Sequence, residues 1–221
     1  MAQGDYHVLL CARSPEKGEI AVARLQSHGF PGTCELVQLD QTNDNSIAAA
    51  VKHVEARHSH LDASILNAGR FSGIATRENM IKDFDTNASS VYFLTHAFRP
   101  LLQKAPATAR VISVSSGMGS IGIKNDHSNQ IASIYALPYC VSKAALNLVI
   151  GQLAYDFKED KNIKFFTVCP GLTVSSLGDI NKLENGAKPT DEAVRPLMKI
   201  VNGERDAEER CFLHAGGQYP W

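Results

Sequence analysis

Short apolar runs alternate with amphipathic stretches from one end of the chain to the other, and this restricts the fold more than any other feature of the sequence. Residues 7–12, 34–39, 63–66, 110–115, 164–168 and 210–213 are brief, apolar and bounded by turn residues. Runs of that kind read as strands buried on both faces of a parallel sheet. Between them, residues 16–27, 44–58, 78–104, 135–158 and 190–201 carry helical periodicity. In the second of these, Asp44 is a plausible N-cap, and Ile47, Val51 and Val54 make the apolar face. Strand and helix in alternation predict a doubly wound α/β sheet. Residues 1–221 contain no repeat, low-complexity tract or linker, so they read as one domain.

Charge and cysteine content narrow the function classes. The 22 basic and 23 acidic residues give a net charge of −1, with no long run of one sign. That offers no electrostatic reason to expect nucleic acid or an anionic membrane as a partner. No apolar run is long enough to span a bilayer, and the opening Met1-Ala-Gln-Gly-Asp-Tyr has neither a basic nor an apolar leader region. Five scattered cysteines without Cys-x-x-Cys spacing read as reduced core thiols of a cytoplasmic protein. His53, His58 and His60 lack metal-ligand spacing and read as decoration of a solvated helix end, so no metal is expected.

Candidate chemistry gathers at strand ends. Asn67-Ala68-Gly69 follows residues 63–66, Ser115-Ser116-Gly117 follows 110–114, and Pro170-Gly171 follows 164–168. In open parallel sheets, ligands bind outside the carboxyl ends of the strands. Between the second and third motifs, Tyr139 and Lys143 stand four residues apart, which places both on one helix face. A neighbouring ammonium favours the phenolate and pulls a phenol with an ordinary pKa of about 10 toward neutrality. A phenol so tuned can give a proton to an alkoxide or take one from an alcohol. Taken singly, each motif has a plainer reading as a turn, a strand-end hydroxyl or a surface charge.

Taken in order, Asn67-Ala68-Gly69, Asp85-Thr86-Asn87, Ser115-Ser116, Tyr139-x-x-x-Lys143 and Pro170-Gly171 resemble the short-chain dehydrogenase/reductase family over nearly the whole chain. The terminal Gly-Gly-Gln-Tyr-Pro-Trp is similar to its fungal and plant carbonyl-reductase-like branch. The resemblance implies a Rossmann-type fold and an NADP (NADPH) cofactor, with NAD as the other nicotinamide. It also implies a small carbonyl or secondary-alcohol substrate, as in secondary metabolism. Tyr139 would be the proton donor or acceptor, and Lys143 would lower its pKa and hold the nicotinamide ribose. Ser116 would bind the substrate oxygen in preference to Ser115, which should point to the opposite strand face. Asn87 would fix a proton-relaying water.

Cofactor roles are implied for Asn67, Ala68 and Gly69, for Arg13 at the adenosine 2′-phosphate, and for Asp40 at the adenine. Thr173 and Ser175 stand where the family has Val and Thr in Pro-Gly-x-Val-x-Thr, so their carboxamide contacts depart from the pattern. Relatives associate through helices matching 78–104 and 135–158, which implies a homo-oligomer.

Two departures stand out. The family's glycine-rich turn after its first strand is missing, so residues 7–12 match the second strand of relatives. The first strand–helix unit, roughly 30 residues, would lie upstream of Met1 or not exist. An incomplete start is the favoured reading; the other is a relative that closes the gap, for example by pairing the second strand with the fourth. Weak NADPH binding by this chain is then expected. Gly117-Met-Gly119-Ser-Ile-Gly122 mimics a dinucleotide motif but opens no amphipathic helix, and Gly69-Arg-Phe-Ser-Gly73 trails the Asn67 turn; neither is assigned to pyrophosphate. The second departure is the 139 − 116 = 23 positions between Ser116 and Tyr139, whose excess sits in the polar residues 124–130 and would shape a substrate rim. Two other readings remain: a redox-dead isomerase, cyclase or dehydratase using Tyr139 as acid, and a non-catalytic partner of a full-length homologue.

Overall fold

A computed structural model describes residues 6–221, and the leader reading of the first five residues lies outside them. Packing divides the chain into two compact units, residues 1–59 and 60–221.

The first unit is built from β1 (His7–Ala12), α1 (Pro15–Ser27), β2 (Thr33–Gln38) and α2 (Asp44–Glu55). β1 and β2 pair in parallel, with His7 opposite Thr33 and Ala12 opposite Gln38. Ser14 caps α1 by accepting from the Lys17 N–H, and Pro15 suits a first turn that has no use for its N–H. The cap of α2 differs from expectation. Asn43, not Asp44, adopts the extended cap conformation and accepts from the Ser46 N–H at 2.9 Å, which leaves Asp44 as the first helical residue. Ile47, Ala50 and Val54 of α2 are buried.

The second unit runs β3 (Ala63–Leu66), α3 (Arg77–Phe84), a π turn (Asp85–Ser89), α4 (Ser90–Gln103), β4 (Ala109–Val114), α5 (Ile121–Asn125) and α6 (Leu137–Asp156). It continues through β5 (Ile163–Val168), α7 (Thr190–Ala193), α8 (Arg195–Val201), β6 (Phe212–His214) and β7 (Gly217–Gln218). Its sheet order is β3-β4-β5-β6-β7, parallel except for the final hairpin. Alternation along the strands supplies two cores. Ile112, Phe166, Val168 and Leu213 pack with Ile200 and Leu197 of α8. Phe165, one position out of phase, meets Phe157 at the end of α6 with ring centroids 5.4 Å apart.

The α/β class is as the sequence predicts. Within its own unit each of these strands pairs in parallel, β1 with β2 and β3 with β4. The helix expected over 78–104 is interrupted by the π turn, and that over 190–201 breaks at Val194. No helix among the described residues is long and apolar enough to cross a membrane.

Candidate active site

Tyr139 and Lys143 lie in the first turns of α6, which Pro138 opens without a side-chain cap at Ala136. Both are buried, at 7% and 4% exposure. The Ser116 side chain is a polar neighbour of the phenol and favours its charged form. Ser116 lies just past β4 as the N-cap of a 3-10 turn, where its Oγ accepts from the Met118 N–H at 3.2 Å. Ser115 is taken by α6 as well, donating to Asn147 Oδ1 at 2.6 Å. The expected face argument is therefore corrected: beyond the strand end, alternation no longer governs, and both serines reach α6 at different turns.

The electrostatics also differ from expectation. Burial pushes the Tyr139 phenol up to about 12, and the neighbouring Ser116 side chain only partly offsets it. Lys143 does not deliver the expected acidification, because its Nζ donates to the Val114 carbonyl at 2.8 Å and stands 5.6 Å from the Tyr139 ring centroid. Burial lowers its own pKa to about 8. A low-dielectric site disfavours both charged forms, and here desolvation outweighs attraction.

Asn87 occupies the π turn, a geometry common at functional sites. Its amide donates to the Arg70 carbonyl and the Ser142 hydroxyl, each at 2.8 Å, and its Oδ1 accepts from the Arg70 N–H at 2.7 Å. Ser142 in turn donates to the Tyr139 carbonyl at 2.8 Å, so Asn87 braces the turn of α6 that carries the phenol. Asn67, Ala68 and Gly69 are exposed at the end of β3. A Cβ added at Gly69 would stand 3.4 Å from Asn87 Oδ1 and 3.7 Å from Lys143 Nζ. Thr173 donates to the Gly171 carbonyl, and the exposed Ser175 accepts from the Leu177 N–H, both within the loop after β5.

The other two assigned positions belong to the first unit. Arg13 is exposed just beyond β1. Asp40 holds a turn by accepting from the Thr42 N–H and hydroxyl, and these bonds, with a smaller effect of Arg13, lower its pKa.

Several supporting residues escaped the sequence reading. Asp83 is fully buried and accepts from Arg70 Nε at 2.9 Å and from the Ser72 N–H and hydroxyl, which fixes the loop after Gly69. Phe71 of that loop meets the Tyr139 ring at 5.0 Å. The sequence signal for Asp83 is its place one helical turn before Asn87. The glycines of 117–122 prove to be packing devices. A Cβ at Gly119 would fall 2.6 Å from the Lys143 backbone carbon, and one at Gly122 would fall 2.7 Å from Pro220. The C-terminal residues close over this segment, with Ser120 donating to the Pro220 carbonyl at 2.6 Å and the Gly122 N–H to that of Trp221 at 2.9 Å.

This arrangement can hold a proton on a buried phenol, aim it with a serine hydroxyl and keep an amine one turn away. The comparisons point the same way. A sequence model described as short chain dehydrogenase matches residues 1–184. A short-chain dehydrogenase/reductase of Aspergillus fumigatus is 34% identical over 90% of this chain and 80% of its own length. The short-chain dehydrogenase anuI of Penicillium roqueforti is 36% identical over 90% and 79%. The solved structure of NADPH-bound carbonyl reductase from chicken fatty liver superposes with a TM-score of 0.81 at 26% identity, covering 96% of this chain and 86% of that one. The chain belongs to the short-chain dehydrogenase/reductase family, and its α/β fold is the Rossmann-type fold of that oxidoreductase family.

Proposed function

We propose that the protein is an NADP-dependent oxidoreductase that interconverts a small-molecule carbonyl and its secondary alcohol, with Ser116, Tyr139, Lys143 and Asn87 at the reacting centre. The observation that carries this reading is the burial of the Tyr139 phenol beside Ser116, with Lys143 buried one turn on in the same helix. With a pKa of about 12 the phenol bears its proton at neutral pH, so the resting site is set to donate to a developing alkoxide. Ser116 orients the same oxygen.

The residues present fit a nicotinamide nucleotide. Lys143 Nζ has three N–H bonds, and the described structure directs one at Val114, which leaves donors for a ribose hydroxyl. Gly69 keeps the approach to that ammonium open, and the Asn67-Ala68-Gly69 strip is exposed for backbone contact. Thr173 and Ser175 offer hydroxyls after β5; Arg13, in the first unit, is a cation of the kind a 2′-phosphate takes. When bound, the nicotinamide supplies or accepts the hydride. A proton relay through Asn87 would use its main-chain carbonyl, because its amide is engaged.

Exposed apolar residues near the site suit an apolar substrate body: Ile134, Tyr135 and Leu137 before Tyr139, and Leu172, Leu177 and Ile180 after β5. The polar residues 124–130 are held beside them, with Lys124 Nζ donating to the Ala132 carbonyl at 2.6 Å. Exposed Phe93 and Leu148, on α4 and α6, suit the homo-oligomer implied by the family.

The test is NADPH fluorescence titration followed by NADPH consumption with a panel of ketones and aldehydes. Tyr139→Phe should lower turnover by about 10²–10⁴-fold, the worth of a positioned general acid, and leave nucleotide affinity within a few-fold. The same titration measures how weakly this chain holds NADPH. Turnover that survives loss of the phenol would sink the reading, and absence of nucleotide binding would favour a redox-inactive role.

A further inference from the structure

His58 belongs to the histidine group dismissed from its spacing, and the fold separates the three. His53 Nδ1 meets Arg57 at 3.0 Å, and His60 meets Asp62 at 3.4 Å. His58 instead turns toward β2, where its Nε2 lies 2.7 Å from Glu35 Oε1. Its position is set by its own N–H, which bonds to the Val54 carbonyl at 2.8 Å just after α2.

A third group joins them from the start of β1. In the parallel register His7 lies opposite Thr33, and Glu35 is two residues along β2 on the same face. His7 Nδ1 is 2.5 Å from the Thr33 hydroxyl, and His7 Nε2 is 4.0 Å from Glu35 Oε1. The His7 and His58 rings lie 5.0 Å apart. One ligand atom from each of the three residues falls within 4.8 Å of the other two.

We propose that His7, Glu35 and His58 form a binding site for a divalent cation of the zinc class, with water completing the coordination. Two imidazoles and one carboxylate suit Zn²⁺ and the neighbouring borderline metals, whereas Mg²⁺ and Ca²⁺ require oxygen donors. A tetrahedron with arms of 2.0–2.1 Å puts its donors roughly 3.3 Å apart. The separations of 2.7 and 4.0 Å from Glu35 straddle that value, so small side-chain rotations reach it. The plainer reading is an ion pair between His58 and Glu35. That reading extends to His7 only as a long 4.0 Å pair with Glu35, whereas its Nδ1 contact with Thr33 fixes the ring as an outer partner fixes a metal-ligating imidazole. A bound cation would tie the start of β1, the middle of β2 and the segment after α2, and so would stabilise the folded unit through linkage.

The experiment uses the untagged, metal-free full chain and ZnCl₂, read by isothermal titration calorimetry and by the thermal midpoint. One equivalent should bind at micromolar concentration and raise the midpoint. Removal of an outer partner already costs about 10–100-fold in metal affinity, so His7→Gln, Glu35→Gln and His58→Ala should each lose at least about tenfold. His53→Ala and His60→Ala should bind as the parent does. His7→Gln is the decisive variant, because that side chain is 43% exposed and can be replaced without emptying a core. Failure of the parent to bind zinc below millimolar concentration, or unchanged binding by His7→Gln, would overturn the proposal.

Discussion

The strands of residues 60–221 and those of residues 1–59 are built to different standards. β4 and β5 are buried along almost their whole length, whereas β1 and β2 are largely half-exposed and β1 has no fully buried residue. Parallel sheets ordinarily have both faces covered. The side chains of β1, Val8, Leu9 and Leu10, are the apolar ones such a strand requires, yet each remains partly accessible. The lesson is that apolar composition marks a strand, while burial depends on what packs against it.

The largest test of this contrast keeps the chemistry constant. Leu213→Ala removes a fully buried side chain from the core shared with Phe166 and Ile200, and should cost about 2–5 kcal/mol. Leu9→Ala, half-exposed on β1, should cost less than about half as much. Denaturant unfolding of the two variants measures both. Equal costs would show that β1 is as thoroughly packed as β6 and would break the comparison.

The next test concerns charge in the better-packed unit. Lys143 has a folded pKa of about 8 against an ordinary 10.5. Below pH 8 the lysine is protonated folded and unfolded, and the full cost of burying the charge is present. Between pH 8 and 10.5 the unfolded chain holds more protons, so this group makes stability rise with pH. Tyr139 acts in the opposite sense from pH 10 to about 12, where the folded chain keeps its proton. Subtracting the unfolding curves of Lys143→Met from those of the parent isolates the lysine. The difference should grow by on the order of 2 kcal/mol from pH 7.5 to 10; a flat difference would mean that the ammonium is solvated.

Gly119→Ala should follow in size. Its new Cβ would press on the Lys143 backbone, and overpacking of this kind costs about 1–3 kcal/mol. Because the shift moves the Ser116 turn away from α6, turnover should fall more than stability. Parallel assays of melting and turnover would show it, and an unaffected turnover would detach Gly119 from the site.

How far the sequence disclosed all this varies with the kind of information each feature depends on. β1 and β3 start and end where their apolar runs do, because turn residues bound them. Motif order brought Ser116, Tyr139 and Lys143 forward; Tyr139 and Lys143 are buried one turn apart on α6, but the Lys143 ammonium turns to the Val114 carbonyl. The π turn was not legible: helical periodicity runs through residues 78–104, and the wide turn accompanies the inward packing of Asp83 and Asn87 against a distant loop. The direction of the Tyr139 shift departs from expectation for a similar reason. Spacing gives the neighbour, but not the burial that outweighs it. Gly117, Gly119 and Gly122 form a phosphate-loop pattern in one dimension, whereas in three Gly119 packs on α6 and Gly122 on the C-terminal Pro220.

The smallest expected effect lies at the helix ends, and it returns to the two units. α6 begins at Ala136 with no side-chain cap, and burial of Pro138, Tyr139, Ser142, Lys143 and Leu146 holds its first turns. The first-unit helices have thinner burial and side-chain caps instead, Ser14 on α1 and Asn43 on α2. Asn43→Ala should therefore cost about 1 kcal/mol. Asp44→Ala removes only a favourable charge from the first turn, worth about 0.3–1 kcal/mol at low salt and less when salt screens it. Unfolding both variants at low and at high salt separates a cap, whose cost persists, from a dipole effect, whose cost fades. If Asp44→Ala proves the costlier at both salt concentrations, the cap assignment is reversed, and the 1–59 helices do not lean on local hydrogen bonds where their burial is thin.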